Sequence, residues 1–292
     1  MLPRLIPTPL PRWEEVGAPV SVADVVAGAT GRMRRALAPG LRVRRAFAWE
    51  HADRHDRDWW PQGITPLGRL MLVSWYSKAG AGVRISFVDL RSRRYTHVPL
   101  ALPNQDGTLG PLPIHAGGLA ASGSWVHVAA TGRGIYSAHL EDLRRLADGE
   151  LIWPVRLHLQ APAGDTSRFR YSFLSVSEGG ELIAGEYGRG DQSTRLARFA
   201  LDADGLPVEA VAVDAGVAQM QGAILRGGRY LATVSHGTRG FGGLASGRPG
   251  ALVERRWAAP AGPEDLTWSG GRPWTVTEHP GKRWIVALRP PS

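Results

Sequence analysis

Short apolar or alternating runs recur along this chain in pairs, and a glycine turn joins the two runs of each pair. The paired segments read PQGITPLGRLMLVSWYS from Pro61, AGGLAASGSWVHVAATGRG from Ala116, SFLSVSEGGELIAGEYGRG from Ser172, MQGAILRGGRYLATVSHGT from Met220 and PEDLTWSGGRPWTVTEHPG from Pro263. The turn glycines are Gly68, Gly123, Gly179 with Gly180, Gly227 with Gly228, and Gly270 with Gly271. They fall where a tight hairpin needs a positive φ, so each segment is predicted to be a β-hairpin.

The hairpins recur at a nearly regular spacing. Aligned on Gly63, Gly118, Phe173, Gly222 and Asp265, successive repeats lie 55, 55, 49 and 43 residues apart. A third strand-like run follows each hairpin, at Val83, Ile135, Arg195, Ala251 and Arg283, and a fourth is visible at Arg94. Repeats of three to four antiparallel strands at this spacing are typical of propeller blades. The sequence therefore predicts an all-β fold, a five-bladed β-propeller.

The two ends of the repeat region complement each other. The last repeat ends at its third strand, while the run LRVRRAFAW from Leu41 has no partner of its own. Because unpaired edges are a liability, we expect the Leu41 segment to complete the fifth blade as its outer strand. Ahead of it, SVADVVAGATGRMRRALAPG with a Ser21 cap predicts one N-terminal helix. Residues 1–40 are thus expected to be an extension, and residues 41–292 a single propeller domain.

Composition narrows the possible chemistry. The chain has no cysteine, which excludes disulfides, thiolate nucleophiles and zinc sites built on Cys. Its net charge of +9 comes almost entirely from scattered arginines. No basic helix, finger or aromatic RNA-binding motif accompanies them, so a nucleic-acid partner is not expected. No apolar run approaches the length of a membrane span, and the first residues lack the pattern of a secretory signal. We expect a cytoplasmic protein as given, or a secreted one if a leader preceded it, and a monomer or weak homodimer.

The repeat plan gathers polar residues on one face. In a propeller the first strand of each blade runs down beside the axis and the second returns, so strand starts and second-strand ends meet. The starts bring Gln62, His115, Ser172, Gln221, Glu264 and Asp265, with Trp59, Trp60, Tyr171, Phe173 and Gln219 beside them. The ends bring Tyr76, Thr131, Glu186, Ser235 and Glu278, followed by Tyr187, His236 and His279. Function is concentrated on such loops, so this ring is the predicted site.

The candidate catalytic residues are Glu264, Asp265, His115, Glu186 and Glu278. Glu264 and Asp265 together offer an acid and a carboxylate, with burial beside a like charge keeping the acid protonated near neutral pH. Bonds to backbone N–H groups of the next blade are the alternative. Glu186 and Glu278 are expected to flank a ligand across the channel. A salt bridge to Arg189, Arg133 or Lys282 is the alternative. His115 suits proton transfer, or hydrogen bonding in the core.

Amides and aromatic rings are the candidate substrate-binding residues. Gln62, Gln219, Gln221 and His236 are expected to orient a polar ligand. The predicted aromatic wall consists of Trp59, Trp60, Tyr76, Tyr171, Phe173 and Tyr187, although packing between blades is the commoner role of such rings. His236 and His279 with a glutamate resemble an incomplete metal set, and no metal or other cofactor is expected. GTRGFGG from Gly237 is interpreted as a flexible loop, since it lacks the context of a dinucleotide site.

Several phrases resemble a known group of sequences. WWPQGIT, VSWY, HAGGL, GRGIY, YSFLSV, GEYGRG, MQGA and GPEDLTW with WTVTEHPGKRW look like a family of actinobacterial proteins usually described as hypothetical secreted proteins. The resemblance covers about residues 55–290, and its last motif is fairly specific. It implies a propeller-like fold and no family-wide activity. The chain departs from the family in lacking an evident signal peptide.

These observations favour one function and leave two alternatives. The first is an enzyme that binds a small, partly apolar organic molecule in the channel mouth and acts by proton transfer. Such an enzyme would be a cyclase, isomerase or lyase of the kind used in natural-product biosynthesis. The second is a propeller-type glycoside hydrolase that uses paired carboxylates. The third is a non-catalytic module that binds a carbohydrate or another ligand.

Overall fold

The computed structural model describes residues 2–13, 16–162 and 167–290, and this part of the chain is almost entirely β-structure. Two short helices lie near its start, α1 at Val22–Ala27 and α2 at His51–His55. A single 3₁₀ turn spans Leu140–Asp142. Across these residues, every helix is too short or too polar to cross a lipid bilayer. The predicted all-β class is confirmed.

The N-terminal strands pair with strands far along the chain. They are β1 (Ile6–Pro9), β2 (Ala18–Pro19), β3 (Gly31–Arg32), β4 (Arg34–Ala36) and β5 (Val43–Ala48). The first repeat follows with β6 (Trp59–Leu67), β7 (Leu70–Ser77), β8 (Val83–Asp89), β9 (Arg94–Pro103) and β10 (Leu109–Pro111). The second contains β11 (Leu119–Ser122), β12 (Trp125–Ala129), β13 (Ile135–His139), β14 (Arg144–Arg145) and β15 (Leu151–Gln160).

The remaining repeats are shorter. The third contains β16 (Phe173–Val176), β17 (Leu182–Gly185), β18 (Arg195–Leu201) and β19 (Pro207–Ala215). The fourth contains β20 (Met220–Arg226), β21 (Arg229–Val234), β22 (Gly242–Arg248) and β23 (Ala251–Ala259). The last contains β24 (Pro263–Ser269), β25 (Arg272–Thr277) and β26 (Trp284–Leu288).

Each repeat forms an antiparallel meander, called a unit below and numbered one to five in chain order. A short parallel pairing of β9 with β15 joins units one and two into one larger sheet. The first strands of the units pack in cyclic order: β6 on β11, β11 on β16, β16 on β20, β20 on β24, and β24 on β6. The described strands therefore surround a common axis.

The N-terminal segment closes the last sheet, as expected. Residues Val43–Ala48 pair with β26 in an antiparallel register, with Ala46 opposite Val286. The Ser21 cap is also confirmed, because its hydroxyl accepts the Asp24 N–H and Asp24 caps Ser21 in return. Helix α1 ends at Gly28, earlier than the sequence suggested, because the following residues are drawn into strands that pair with β9 and β5. Helix α2 was not anticipated.

The hairpin turns agree with the sequence pattern. Gly68, Gly123, Gly180, Gly227 and Gly270 all have positive φ, where side chains with a Cβ are strained. The fourth repeat required a correction. The run from Ala251, interpreted as its third strand, is the fourth, and the third is Gly242–Arg248, which begins with the last two residues of the expected glycine loop. A glycine-rich strand lacks the alternating pattern by which strands are recognised.

Glycines let the first strands approach backbone to backbone. A Cβ on Gly118 would lie 2.2 Å from the Leu174 nitrogen, and one on Gly222 would lie 2.3 Å from the Leu266 nitrogen. A Cβ on Gly63 would lie 2.6 Å from the carbonyl carbon of Gly118. The axis is thus lined by backbone, and apolar clusters fill the spaces between neighbouring units.

A buried Ser, His and Asp set in unit one is structural. The Ser86 hydroxyl contacts His97 Nδ1 at 2.8 Å, and His97 Nε2 lies 3.1 Å from the Asp53 carboxylate. Trp75 Nε1 donates to the same hydroxyl at 2.7 Å, and Ser86 is fully buried. A hydroxyl already engaged on both sides and closed to solvent cannot attack a substrate. The network instead ties α2 to β7, β8 and β9.

Candidate functional site

A polar cavity of about 530 Å³ opens where the first strands begin and the second strands end. This volume lies in the ordinary range of small-molecule sites. The residues that line it are Gln62, His115, Gly117, Thr131, Arg170, Ser172, Tyr187, Gln192, Gln221, Glu264 and Glu278. Predicted residues from all five units thus meet in one place.

Glu264 is a buried carboxyl group on the cavity wall. Only 2% of the residue is exposed, and Gln221 Nε2 donates to its Oε1 at 3.1 Å. Burial raises the pKa of Glu264 well above its usual range, and the nearby charges of Glu278 and Asp265 and a hydrogen bond to Glu278 raise it further. Together these causes favour the protonated form of Glu264.

Glu278 stands beside Glu264 but is better solvated. Its Oε2 accepts from Gln62 Nε2 at 3.1 Å, and its Oε1 lies 3.5 Å from His279 Nδ1. The Gln62 amide is itself buried and also bonds the Pro61 carbonyl, which fixes its orientation. Each glutamate thus has its own glutamine donor, and a hydrogen bond between the two carboxyl groups is among the causes that raise the pKa of Glu264.

Two rings stack at the edge of this pair. The Tyr76 and His115 ring centroids lie 4.3 Å apart with their planes 28° from parallel. Burial, followed by the charges of Glu278 and Glu264, raises the pKa of Tyr76 to about 12. Burial and then the charge of Lys78 lower the pKa of His115. At neutral pH both rings are therefore neutral, a phenol and an imidazole.

Asp265 does not line the cavity. Its Oδ2 accepts the backbone N–H groups of Ile64 at 3.1 Å and Leu119 at 2.9 Å, and its Oδ1 accepts that of Leu266 at 2.9 Å. Burial raises the pKa of this carboxyl, while the three N–H bonds lower it. The carboxylate joins strands of units one, two and five. The sequence-based alternative of backbone bonding describes its contacts better than a role as acid or base.

Glu186 also faces away from the cavity. Its oxygens receive Nε and Nη2 of Arg195 at 2.9 and 2.8 Å and the backbone N–H groups of Arg170 and Arg195. Burial raises the pKa of Glu186, but hydrogen bonds from Arg195, Ser193 and the backbone outweigh this effect and lower the pKa to about 2. The expected ion pair is present, with a partner different from those considered, and the carboxylate has no proton to give.

The other predicted residues lie outside the lining. His236 Nε2 contacts Glu254 Oε1 of β23 at 2.6 Å. Gln219 has a positive φ of 60° and contributes its backbone to bonds with Gly188 and Ser235. Phe173 and Tyr171 are buried in apolar clusters.

Both tryptophans of the expected wall are occupied by cations. Arg84 lies 4.6 Å from the ring centroid of Trp59, and Lys78 Nζ lies 3.2 Å from that of Trp60. Trp60 Nε1 also donates to the Arg57 carbonyl at 2.9 Å. Of the predicted aromatic wall, Tyr187 lines the cavity and Tyr76 stacks at its edge.

Two lining residues were not predicted. Arg170 precedes β16 in an irregular segment, and Gln192 follows β17 in a loop. Neither occupies a position that recurs between repeats, so the alignment gave no signal for them. In the residues that the structure describes, no group of three or more His, Asp or Glu side chains is arranged to hold a metal ion.

Comparison with known proteins adds to the description of the fold. No protein-family model matches the chain. No curated protein matches it either. A GH43 β-xylosidase/α-arabinofuranosidase from a compost microbial metagenome, solved with xylotriose, is 9% identical with a TM-score of 0.50, over 87% of this chain and 94% of that one. A gluconolactonase from Xanthomonas campestris is 14% identical with a TM-score of 0.46, over 96% and 90%. The first likeness supports a propeller-type fold.

Proposed function

We propose that this protein is an enzyme that moves protons on a small organic molecule bound in the cavity, as an isomerase, lyase or cyclase. The observation that carries the proposal is that buried Glu264 and the better solvated Glu278 line the same cavity, where burial and then the charge of Glu278 raise the pKa of Glu264. Two carboxyl groups held at different protonation states supply an acid and a base at the same pH. Cavity size and polarity agree with a small polar substrate.

The two glutamates take different roles. Glu278, the better solvated member, is the base that removes a proton from a carbon or hydroxyl of the substrate. Glu264 is the acid that donates its proton to the oxygen on which negative charge develops. The neutral phenol of Tyr76 is placed to donate a hydrogen bond to the same oxygen. A proton passing from Glu278 to Glu264 across their hydrogen bond restores the starting state.

The separation of the carboxyl groups disfavours glycoside hydrolysis by this pair. Retaining glycosidases hold their carboxyl groups about 5 to 5.5 Å apart and inverting ones about 6.5 to 9.5 Å apart, so that a sugar carbon or a water fits between them. A hydrogen bond with Glu278 is among the causes that raise the pKa of Glu264, so the two carboxyl groups lie closer together than either of these spacings. Glu186, the other carboxylate considered for that chemistry, is held in its ion pair with Arg195.

We also propose that the five units are the blades of a five-bladed propeller. The cyclic packing of β6, β11, β16, β20 and β24 supports this interpretation, as does the completion of unit five by β5. In that arrangement the cavity is the mouth of the central channel. The site then draws on the first-strand starts of several blades, which is how a ring of repeats concentrates groups dispersed in sequence.

Deuterium exchange tests the proposed proton transfer across a range of small molecules. The protein is incubated in D₂O with a panel of hydroxy acids, keto acids and sugars, and carbon-bound deuterium is measured by mass spectrometry. We expect the wild type to label at least one compound and Glu278→Gln to label it at least about 100-fold more slowly, the usual value of a general base. Glu141→Gln, which alters a carboxylate with 79% side-chain exposure, is the matched control.

Other outcomes identify the alternatives. Undiminished labelling by Glu278→Gln would remove the proposed base. Release of reducing sugars from a polysaccharide panel, lost in Glu264→Gln, would indicate a glycoside hydrolase. Binding of panel members without labelling or turnover would indicate a binding module.

A further inference from the structure

Arg170 places a positive charge on the cavity wall without a carboxylate partner. Its Nη2 donates to the backbone carbonyls of Tyr187 at 3.0 Å and Ser193 at 2.9 Å. Within residues 2–13, 16–162 and 167–290, no acidic side chain forms an ion pair with it. Glu186 accepts the backbone N–H of Arg170, but its ion pair is with Arg195. The charge is therefore fixed in position by carbonyls and is not compensated.

The remaining donors of this guanidinium are not used inside the described structure. A guanidinium has five N–H groups, and the two on Nη2 point to carbonyl oxygens. Those on Nε and Nη1 make no hydrogen bond with the described residues. A planar fork held in place with spare donors suits a bidentate carboxylate or phosphate, with bonds about twice as strong as neutral ones.

Neighbouring groups of unit three extend this anion site. Gln192 lines the same cavity, and its Oε1 accepts the Arg189 backbone N–H at 3.0 Å, so its amide N–H groups are directed elsewhere. Ser172, directly before β16, lines the same cavity. Of the residues that line the cavity, Arg170 is the one with a permanent positive charge. A single fork without a second cation matches a monoanionic carboxylate better than a dianionic phosphate.

The cavity is therefore polarised. Arg170, Gln192 and Ser172 come from unit three, whereas Glu264 and Glu278 come from unit five, with unit four between them. An anionic group is repelled by Glu278 and attracted by Arg170, so a ligand that carries one enters in a single orientation. Its uncharged end then reaches the two glutamates.

We propose that the substrate is a small carboxylic acid, such as a hydroxy, keto or sugar acid, whose carboxylate is bound by Arg170 and Gln192. This inference rests on the proposed function only for the reaction at the other end of the substrate. The binding step depends on Arg170 and is measurable by itself.

Isothermal titration with matched pairs of probes tests the binding step. The pairs are galacturonate against galactose and succinate against succinamide, which differ in charge and little in shape. We expect the wild type to bind at least one acid tenfold or more tightly than its neutral partner. Arg170→Gln should remove that preference, and Gln192→Ala should reduce it severalfold. Arg91→Gln, an exposed arginine in a turn of unit one, is the control with the same change in net charge.

Arg170→Lys guards against a structural explanation, because loss of the two carbonyl bonds could disturb the loop. This variant should fold with an unchanged unfolding midpoint and keep part of the preference for acids, since it retains the charge but not the fork. A preference for acids that survives in Arg170→Gln would overturn the inference. So would equal affinity for acid and neutral probes, the absence of binding by any of them, or tight binding of inorganic phosphate alone.

The two proposals fail separately. If Glu278→Gln still binds the acid but no longer exchanges deuterium, both proposals are supported. If Glu278→Gln exchanges deuterium normally while Arg170→Gln loses the acid, the anion site remains and the proposed base is wrong. If Arg170→Gln labels and binds acids as the wild type does, the anion site is wrong and the glutamate pair is unaffected.

Discussion

Alternation along β24 gives two adjacent carboxyl groups opposite surroundings. Asp265 accepts three backbone N–H groups from three strands. Glu264 meets another carboxyl group and one amide. Burial raises the pKa of both carboxyl groups, but directed donors oppose that rise at Asp265, whereas a like charge adds to it at Glu264. The two residues therefore differ in what they contribute to folding.

Glu264→Gln should stabilise the protein at neutral and alkaline pH. A carboxyl group whose pKa is raised by folding stabilises the protein below its unfolded pKa, and that contribution is lost as pH rises through the folded value. Glutamine has no proton to lose, so the free energy of unfolding of the variant should exceed that of the wild type by about 1 kcal/mol at pH 8. A gain of this size is common when a destabilising residue of a functional site is replaced. The difference should disappear towards pH 4. Urea unfolding at pH 4, 6 and 8 measures it.

Asp265→Asn is the matched control at the next residue. Its amide nitrogen would face a backbone N–H that needs an acceptor, so this variant should lose about 2 kcal/mol at neutral pH. Equal stability of Glu264→Gln and the wild type at every pH would mean that Glu264 is not held protonated. The proposed acid would then be lost, although the fold would be unaffected.

The sequence identified most residues of the site and could not identify their partners. Glu186 and Glu278 occupy equivalent positions in the repeat alignment, yet one is bound by Arg195 and the other meets Gln62 and Glu264. The partner of Glu186 comes from the neighbouring strand β18, whereas those of Glu278 come from unit one and from the first strand of unit five. Arg170 lies in a segment without periodicity, so no repeat-based argument could have found it.

At the scale of elements, the first strands depend on glycine. Gly118 lies against the backbone of Phe173 and Leu174, with a hypothetical Cβ at 2.2 Å from a backbone atom. A backbone neighbour cannot rotate away as a long side chain can. The small residues at the start of a repeat, as in HAGGL, are therefore explained by the close approach of the first strands near the axis.

Gly118→Ala should destabilise the protein by about 3 kcal/mol, because overpacking of this kind forces strands apart. Gly132→Ala is the control, since a Cβ there meets nothing within 4 Å and its φ is not positive. We expect it to change stability by less than about 0.5 kcal/mol. Thermal and urea unfolding compare the two. Similar effects of both substitutions would contradict the close approach of the first strands.

At the scale of the whole molecule, the two ends of the chain form one sheet. Strand β5 lies between β26 and β4 and pairs with both of them. Without β5, the edge of β26 would be exposed, and exposed edges favour association between chains. The N-terminal segment is thus part of the closure.

Ala46→Pro should test the importance of this closure. Ala46 is buried in the centre of β5 opposite Val286, and proline removes a ladder hydrogen bond there. Ala36→Pro in the edge strand β4 is the control, because proline is tolerated at edges. Size-exclusion chromatography should show association for the first variant and a smaller change for the second. Equal association of the two variants would mean that β4 and β5 contribute equally to the closure.

The sequence by itself determined the hairpin strands of the five repeats, the glycine turns, the repeat and the closing segment. Each of these depends on the local alternation of residues, on positive φ at glycine, or on a period that is visible along the chain. Only the tertiary structure decided which carboxyl groups are hydrogen-bonded to each other, which are neutralised, and where Arg170 lies. Those outcomes depend on pairs such as Gln62 with Glu278, which are 216 residues apart, and on burial that no single segment encodes.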